Sequence, residues 1–112
     1  MSGYGLFLEN CTMTTVVSAR IQLHRDSWQS YLTAARVIVP LTRQENGCVH
    51  YGFSIDLIED CVVWISEEWE SEEALMAHLQ TPHISHFIAL AEGMQILDAD
   101  IKKYTVSAVG GF

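Results

Sequence analysis

At 112 residues the chain has the size of a single domain. Its 6 basic against 14 acidic residues give a net charge of −8 with no Lys/Arg run to offset it, which argues against nucleic acid and anionic membrane surfaces as partners. Hydrophobic residues make up 49%, more than one small core is expected to hide, so a second subunit is expected, yet no apolar stretch nears the ~20 residues of a membrane span.

Residues 1–14 read as a leader of weak pattern, without the basic start or long apolar run of a signal peptide, and the domain is expected over residues 15–112. Residues 16–23 alternate, with Val17, Ala19, Ile21 and Leu23 opposite Ser18, Arg20 and Gln22, which is the period of a strand. Asp26 is positioned to cap a helix whose apolar stripe is Trp28, Tyr31, Leu32, Ala35 and Ile38 or Val39. Pro40 is expected to end it, because the residue before proline is pushed out of the α region. Glu45-Asn46-Gly47 then forms a turn.

From Cys48 a second strand places Val49, Tyr51, Phe53, Ile55 and Leu57 on one face and Cys48, His50, Gly52, Ser54 and Asp56 on the other. A turn at Glu59-Asp60 leads into a third strand over residues 61–70, with Val63, Ile65, Glu67 and Trp69 opposite Val62, Trp64, Ser66 and Glu68. Ser71 suits an N-cap, with Glu72 and Glu73 at the favoured end of the helix dipole; this helix should bury Ala74, Leu75, His78 and Leu79. Pro82 can open a further helix carrying Ile84, Phe87, Ile88, Leu90, Ala91 and Met94, and a last strand is expected over residues 101–107.

The order is β-α-β-β-α-β with the second helix split, an α+β, ferredoxin-like arrangement on an antiparallel sheet. Helices would cover one sheet face. The other carries Val62 and Trp64, and pairing of two subunits sheet to sheet would hide it, making a homodimer. Cys11, Cys48 and Cys61 form an odd set without a CxxC pair. The expected register sets Cys61 opposite Leu57 and Cys48 opposite Glu70, too far apart to bridge. Free thiols point to a reducing, cytoplasmic setting.

Several polar residues sit on apolar faces. His78 shares the buried side of its helix and could accept a proton at neutral pH, or it could be a core imidazole satisfied by a carbonyl or a carboxylate. Glu67 lies between Ile65 and Trp69 and must be paired or perturbed. It could be a base, orient His78, or pair with Arg20 or Arg36. Trp69 and Tyr51 could wall a pocket for a flat substrate or simply fill the core. His78, His83 and His86 raise the possibility of a metal, but neither an i, i+4 pair nor an acid at ligand spacing accompanies them, so no metal is expected. His50 and Cys48 fall on the face assigned to the dimer and read as structural. No Gly-rich phosphate loop supports a nucleotide cofactor.

Three segments together carry a family resemblance: Glu45-Asn46-Gly47-Cys48-Val49-His50-Tyr51, then Glu67-Glu68-Trp69-Glu70-Ser71-Glu72-Glu73-Ala74-Leu75, then His78 followed by Thr81-Pro82-His83. The chain resembles the antibiotic biosynthesis monooxygenases, a family of dimeric α+β barrel proteins, over residues 16–106, and within it the small quinol monooxygenase-like members. The resemblance implies a reaction without cofactor, in which a small aromatic phenol or quinol is deprotonated and its carbanion passes an electron to O2, giving a quinone. His78 or Glu67 would then be the catalytic base, with Trp69, Tyr51, Trp28, Tyr31 and His83 around the substrate. Two specialised branches fit less well: Ile65 stands where anthrone-oxidising members place an Asn, and Ile88 stands near the iron-ligating His of haem-degrading members. The resemblance therefore also leaves open a family isomerase acting on a phosphorylated sugar, and a non-catalytic dimeric binding or stress-associated protein.

Overall fold

The computed structural model describes residues 13–112. Most of the expected leader, and Cys11, lie outside the described residues. The elements run β1 (Thr15–Leu23), α1 (Arg25–Thr42), β2 (Cys48–Ile55), β3 (Val62–Trp69), α2 (Glu72–Leu79), α3 (Pro82–Glu92) and β4 (Ile96–Thr105). All strand pairs are antiparallel and the sheet order is β2-β3-β1-β4, the ferredoxin-like α+β arrangement.

β1 is central, and every second residue from Thr15 to Leu23 is buried. Its inner residues Val17, Ala19 and Ile21 meet Tyr31, Ala35 and Ile38 of α1, spaced to share one helix side, together with Phe87 of α3. Ser71 Oγ accepts the Ala74 N–H at the start of α2, and Thr81 caps α3 with Pro82 as its first residue.

Four local expectations are corrected. The cap of α1 is His24, whose Nδ1 accepts the Asp26 N–H at 3.0 Å. The helix also continues through Pro40 to Thr42. Proline there removes a single backbone bond near the helix end, and the Arg43 N–H to Val39 O bond closes the turn beyond it. In β2 the register against β3 shifts between Cys48 and His50. The bulge turns Cys48 inward and leaves Val49 exposed, breaking the alternation read through Val49. It also puts Cys48 opposite Trp69 rather than Glu70. Finally, β4 begins at Ile96, five residues before the expected start, and all ten of its residues are exposed. A strand covered on neither face has no reason to alternate.

Candidate active site

The site lies where the start of β2 meets the α2–α3 corner. Gly47 places the preceding turn. Its φ of +83° is left-handed, and a Cβ on it would come within 2.6 Å of the Ala74 side chain, so only glycine lets the turn pack against α2. The Glu70 N–H donates to Gly47 O at 2.8 Å and ties the turn to the end of β3. Glu45, two residues earlier, is thereby carried under α2.

There its carboxylate meets two imidazoles. His78 Nδ1 lies 2.9 Å from Glu45 Oε2, and His83 Nε2 lies 2.7 Å from the same oxygen. The His78 side chain is 2% exposed, Glu45 13% and His83 18%, so the cluster runs from the interior toward the surface. The Thr81 hydroxyl donates to His78 O at 2.8 Å, bracing the corner that carries both histidines. Glu45, His78 and His83 thus bring three ligand-type atoms within 4.8 Å of one another. The acid absent from the sequence spacing is supplied from 33 residues upstream of His78 by the fold.

On its other side His78 borders a cavity of about 300 Å³ between the helices and the sheet, walled chiefly by apolar and aromatic groups including Tyr51, Phe53, Ile65 and Phe87. Glu67 lines the same cavity, and its Oε1 accepts the Trp69 Nε1–H at 2.9 Å. Burial pushes the Glu67 carboxyl above its usual range, partly opposed by the Trp69 N–H and by His78. The expected arginine partner does not materialise: Arg20 bonds Glu59 and lies 3.7 Å from Asp98. Burial also raises the Tyr51 hydroxyl far above its usual range and the Tyr31 hydroxyl to about 12, so both are neutral donors. The Cys48 thiol is raised by burial and by Glu45 and Glu67, which makes it a poor nucleophile.

The expected site residues separate into groups. His78, Glu67 and Tyr51 share the cavity wall. Trp69 is fully buried with its ring centroid 4.8 Å from His78, so it backs the imidazole rather than the cavity. Tyr31 sits behind Phe53 and Phe87. His83 reaches the site through its bond to Glu45, with its ring centroid 6.3 Å from that of His78. Trp28 lies elsewhere, in a surface groove with Arg25, Asp56 and Cys61. Ile101 and Lys103 line the cavity unexpectedly, brought there by the β4 register opposite Ala19 and Val17.

Known proteins give this geometry a setting. The family model for antibiotic biosynthesis monooxygenases matches residues 14–90. The Escherichia coli protein "Probable quinol monooxygenase YgiN" is 30% identical over 99 residues, covering 80% of this chain and 93% of that protein. An uncharacterized Synechocystis protein is 28% identical over 92 residues, 82% of this chain, and the match spans 63% of that relative's length. Among solved structures, one from Deinococcus radiodurans superposes with a TM-score of 0.81 at 22% identity, covering 88% of this chain and 97% of that one. Rv0793 from Mycobacterium tuberculosis reaches 0.80 at 18% identity, with coverage of 88% and 99%. The structures share the fold, while the family model and the Escherichia coli relative carry the lineage: the chain belongs to the antibiotic biosynthesis monooxygenase family.

Proposed function

We propose that the protein is a cofactor-independent monooxygenase that oxidises a small aromatic phenol or quinol with O2. The observation that carries this reading is a buried imidazole at the wall of an aromatic cavity, with one ring nitrogen committed to a carboxylate outside that wall. His78 takes the substrate hydroxyl proton, and the resulting electron-rich anion reacts with O2. One oxygen atom enters the ring in place of a ring hydrogen and the other leaves as water, with the substrate supplying all four electrons. The hydroxyl proton held on His78 and the displaced ring proton both go to the departing oxygen. No outside reductant is needed. Glu67, held toward its neutral form by burial, would donate a hydrogen bond to the developing oxyanion when protonated. Tyr51 and Phe53 hold the flat ring.

A homodimer in the reducing cytosol belongs to the same proposal. Trp64 and Tyr104 are large exposed aromatic groups on β3 and β4, on the sheet face opposite the helices that a second sheet would cover. Cys48 and Cys61 are free thiols. Sedimentation giving a monomer at micromolar concentration would remove the dimer.

The activity is tested by oxygen uptake against naphthohydroquinones, anthrones and catechols with autoxidation blanks. Uptake above blank is expected, falling at least ~10²-fold in His78→Ala and less in Glu67→Gln. Uptake at blank level across the panel, or full turnover in both variants, sinks the assignment.

A further inference from the structure

We infer that Glu45 and His83 are positioning residues for His78, together locking it in the tautomer whose unprotonated Nε2 faces the cavity. This rests on the reading of His78 as the base.

A nearly buried carboxylate must be paired, and among the described residues Glu45 has ion-pair partners only in His78 and His83. An ionised carboxylate only accepts hydrogen bonds, so each ring nitrogen facing it carries a proton. That assigns Nδ1–H to His78 and Nε2–H to His83. In a neutral His78 ring the lone pair then lies on Nε2. His78 lines the cavity while Glu45 and His83 do not, which leaves Nε2 as the ring nitrogen available to it.

His83 has its own part in this. A glutamate side chain on a turn has three rotatable bonds, and a single hydrogen bond to His78 would leave it free to swing. The second bond comes from the first turn of α3, at a fixed offset from His78 across the Thr81–Pro82 corner. Both bonds converge on the same oxygen, Oε2, so the carboxylate is clamped from two helices at once. Without that clamp the imidazole could rotate or exchange tautomers and present N–H to the substrate, a form that cannot accept its proton.

The test needs no substrate: long-range ¹H–¹⁵N spectra of the histidines in the full chain at neutral pH. Wild type should show His78 as the Nδ1–H tautomer. Glu45→Gln should keep it, because the amide oxygen still accepts, whereas Glu45→Ala and His83→Ala should give a mixture with Nε2–H. With an oxidisable substrate in hand, kcat should fall at least tenfold in Glu45→Ala and severalfold in His83→Ala at nearly constant KM, since neither side chain touches the cavity. A wild-type His78 in the Nε2–H form, or a tautomer unchanged in both alanine variants, overturns the inference. So does loss of the Nδ1–H signal on adding one equivalent of Zn²⁺, which would make the cluster a cation site. If the tautomers behave as expected but no substrate is oxidised, the positioning stands and the monooxygenase reading fails.

Discussion

The two ends of β2 invite comparison, because each is flanked by a turn organised around an acidic side chain. At the far end Asp56 serves its own turn: its carboxylate accepts the Ile58 and Glu59 N–H groups at 2.9 and 2.8 Å and the Trp64 indole N–H at 2.8 Å. These partners lie within eight residues, and the turn is exposed to water. At the near end the Glu45 carboxylate leaves its own turn to the backbone and reaches two histidines 33 and 38 residues away. Similar chemistry closes a loop in one place and builds a site in the other. What separates them is the surface each turn meets: solvent in one case, the α2–α3 corner in the other.

The comparison can be broken most severely at Gly47. Gly47→Ala imposes a left-handed alanine and a Cβ 2.6 Å from Ala74, and should cost ~3 kcal/mol in a urea melt while displacing Glu45 from the histidines. Stability lost by less than ~1 kcal/mol would mean that the turn is not pinned against α2 as described.

Glu67→Gln sharpens the contrast between the acids through pH. The folded-state pKa of Glu67 is raised, so between its unfolded value near 4.5 and its higher folded value the native state binds more proton than the unfolded chain, and wild-type stability falls as pH rises through that window. Glutamine keeps an acceptor for the Trp69 N–H and has nothing to ionise. The variant should therefore match wild type in acid and exceed it at neutral pH. Parallel stability curves across the whole range would refute the raised carboxyl.

Asp56 should show the opposite sign. Its carboxyl is held down to about 2, chiefly by the Glu59 backbone N–H and the Trp64 indole, so the stability it confers is complete above its ordinary range and lost as pH falls toward 2. Asp56→Ala should lower the melting temperature less than Gly47→Ala, change Trp64 fluorescence and leave oxidation of any identified substrate intact. Lost activity would show that the two turns are coupled after all. Last, Cys61 in the same turn has a φ of +58°, and Cys61→Gly should raise stability by up to ~1 kcal/mol, read as a shift of the urea midpoint.

Much of the fold is legible because its elements alternate with a period set by one buried face. β1 and the inner row of β3 show this, as does the stripe of α1. Where one face ceased to be buried, legibility went with it. β4 carries Asp98, Asp100, Lys102 and Lys103 among its apolar residues, so its first five residues show no strand period. The bulge at the start of β2 defeated the reading of Val49, since one extra residue reverses every side chain before it. Within the site, His78 and Glu67 stood out as polar groups on apolar faces. Glu45 did not, because beside Asn46 and Gly47 it looks like any other solvated turn residue.

Composition and periodicity by themselves determined a small acidic α+β domain with a ferredoxin-like element order, a helix capped by Ser71, and a histidine and a glutamate aimed into its interior. Those properties depend on neighbours a few residues apart, and local spacing records them. Only the tertiary structure decided that Glu45 holds both His78 and His83, that Trp69 backs the imidazole while Tyr51 faces the cavity, that Trp28 belongs to another groove, and that β4 contributes Ile101 and Lys103. Each of these is a meeting of segments distant along the chain, fixed by strand register and by the packing of one turn against one helix, and neither leaves a pattern in the order of the residues.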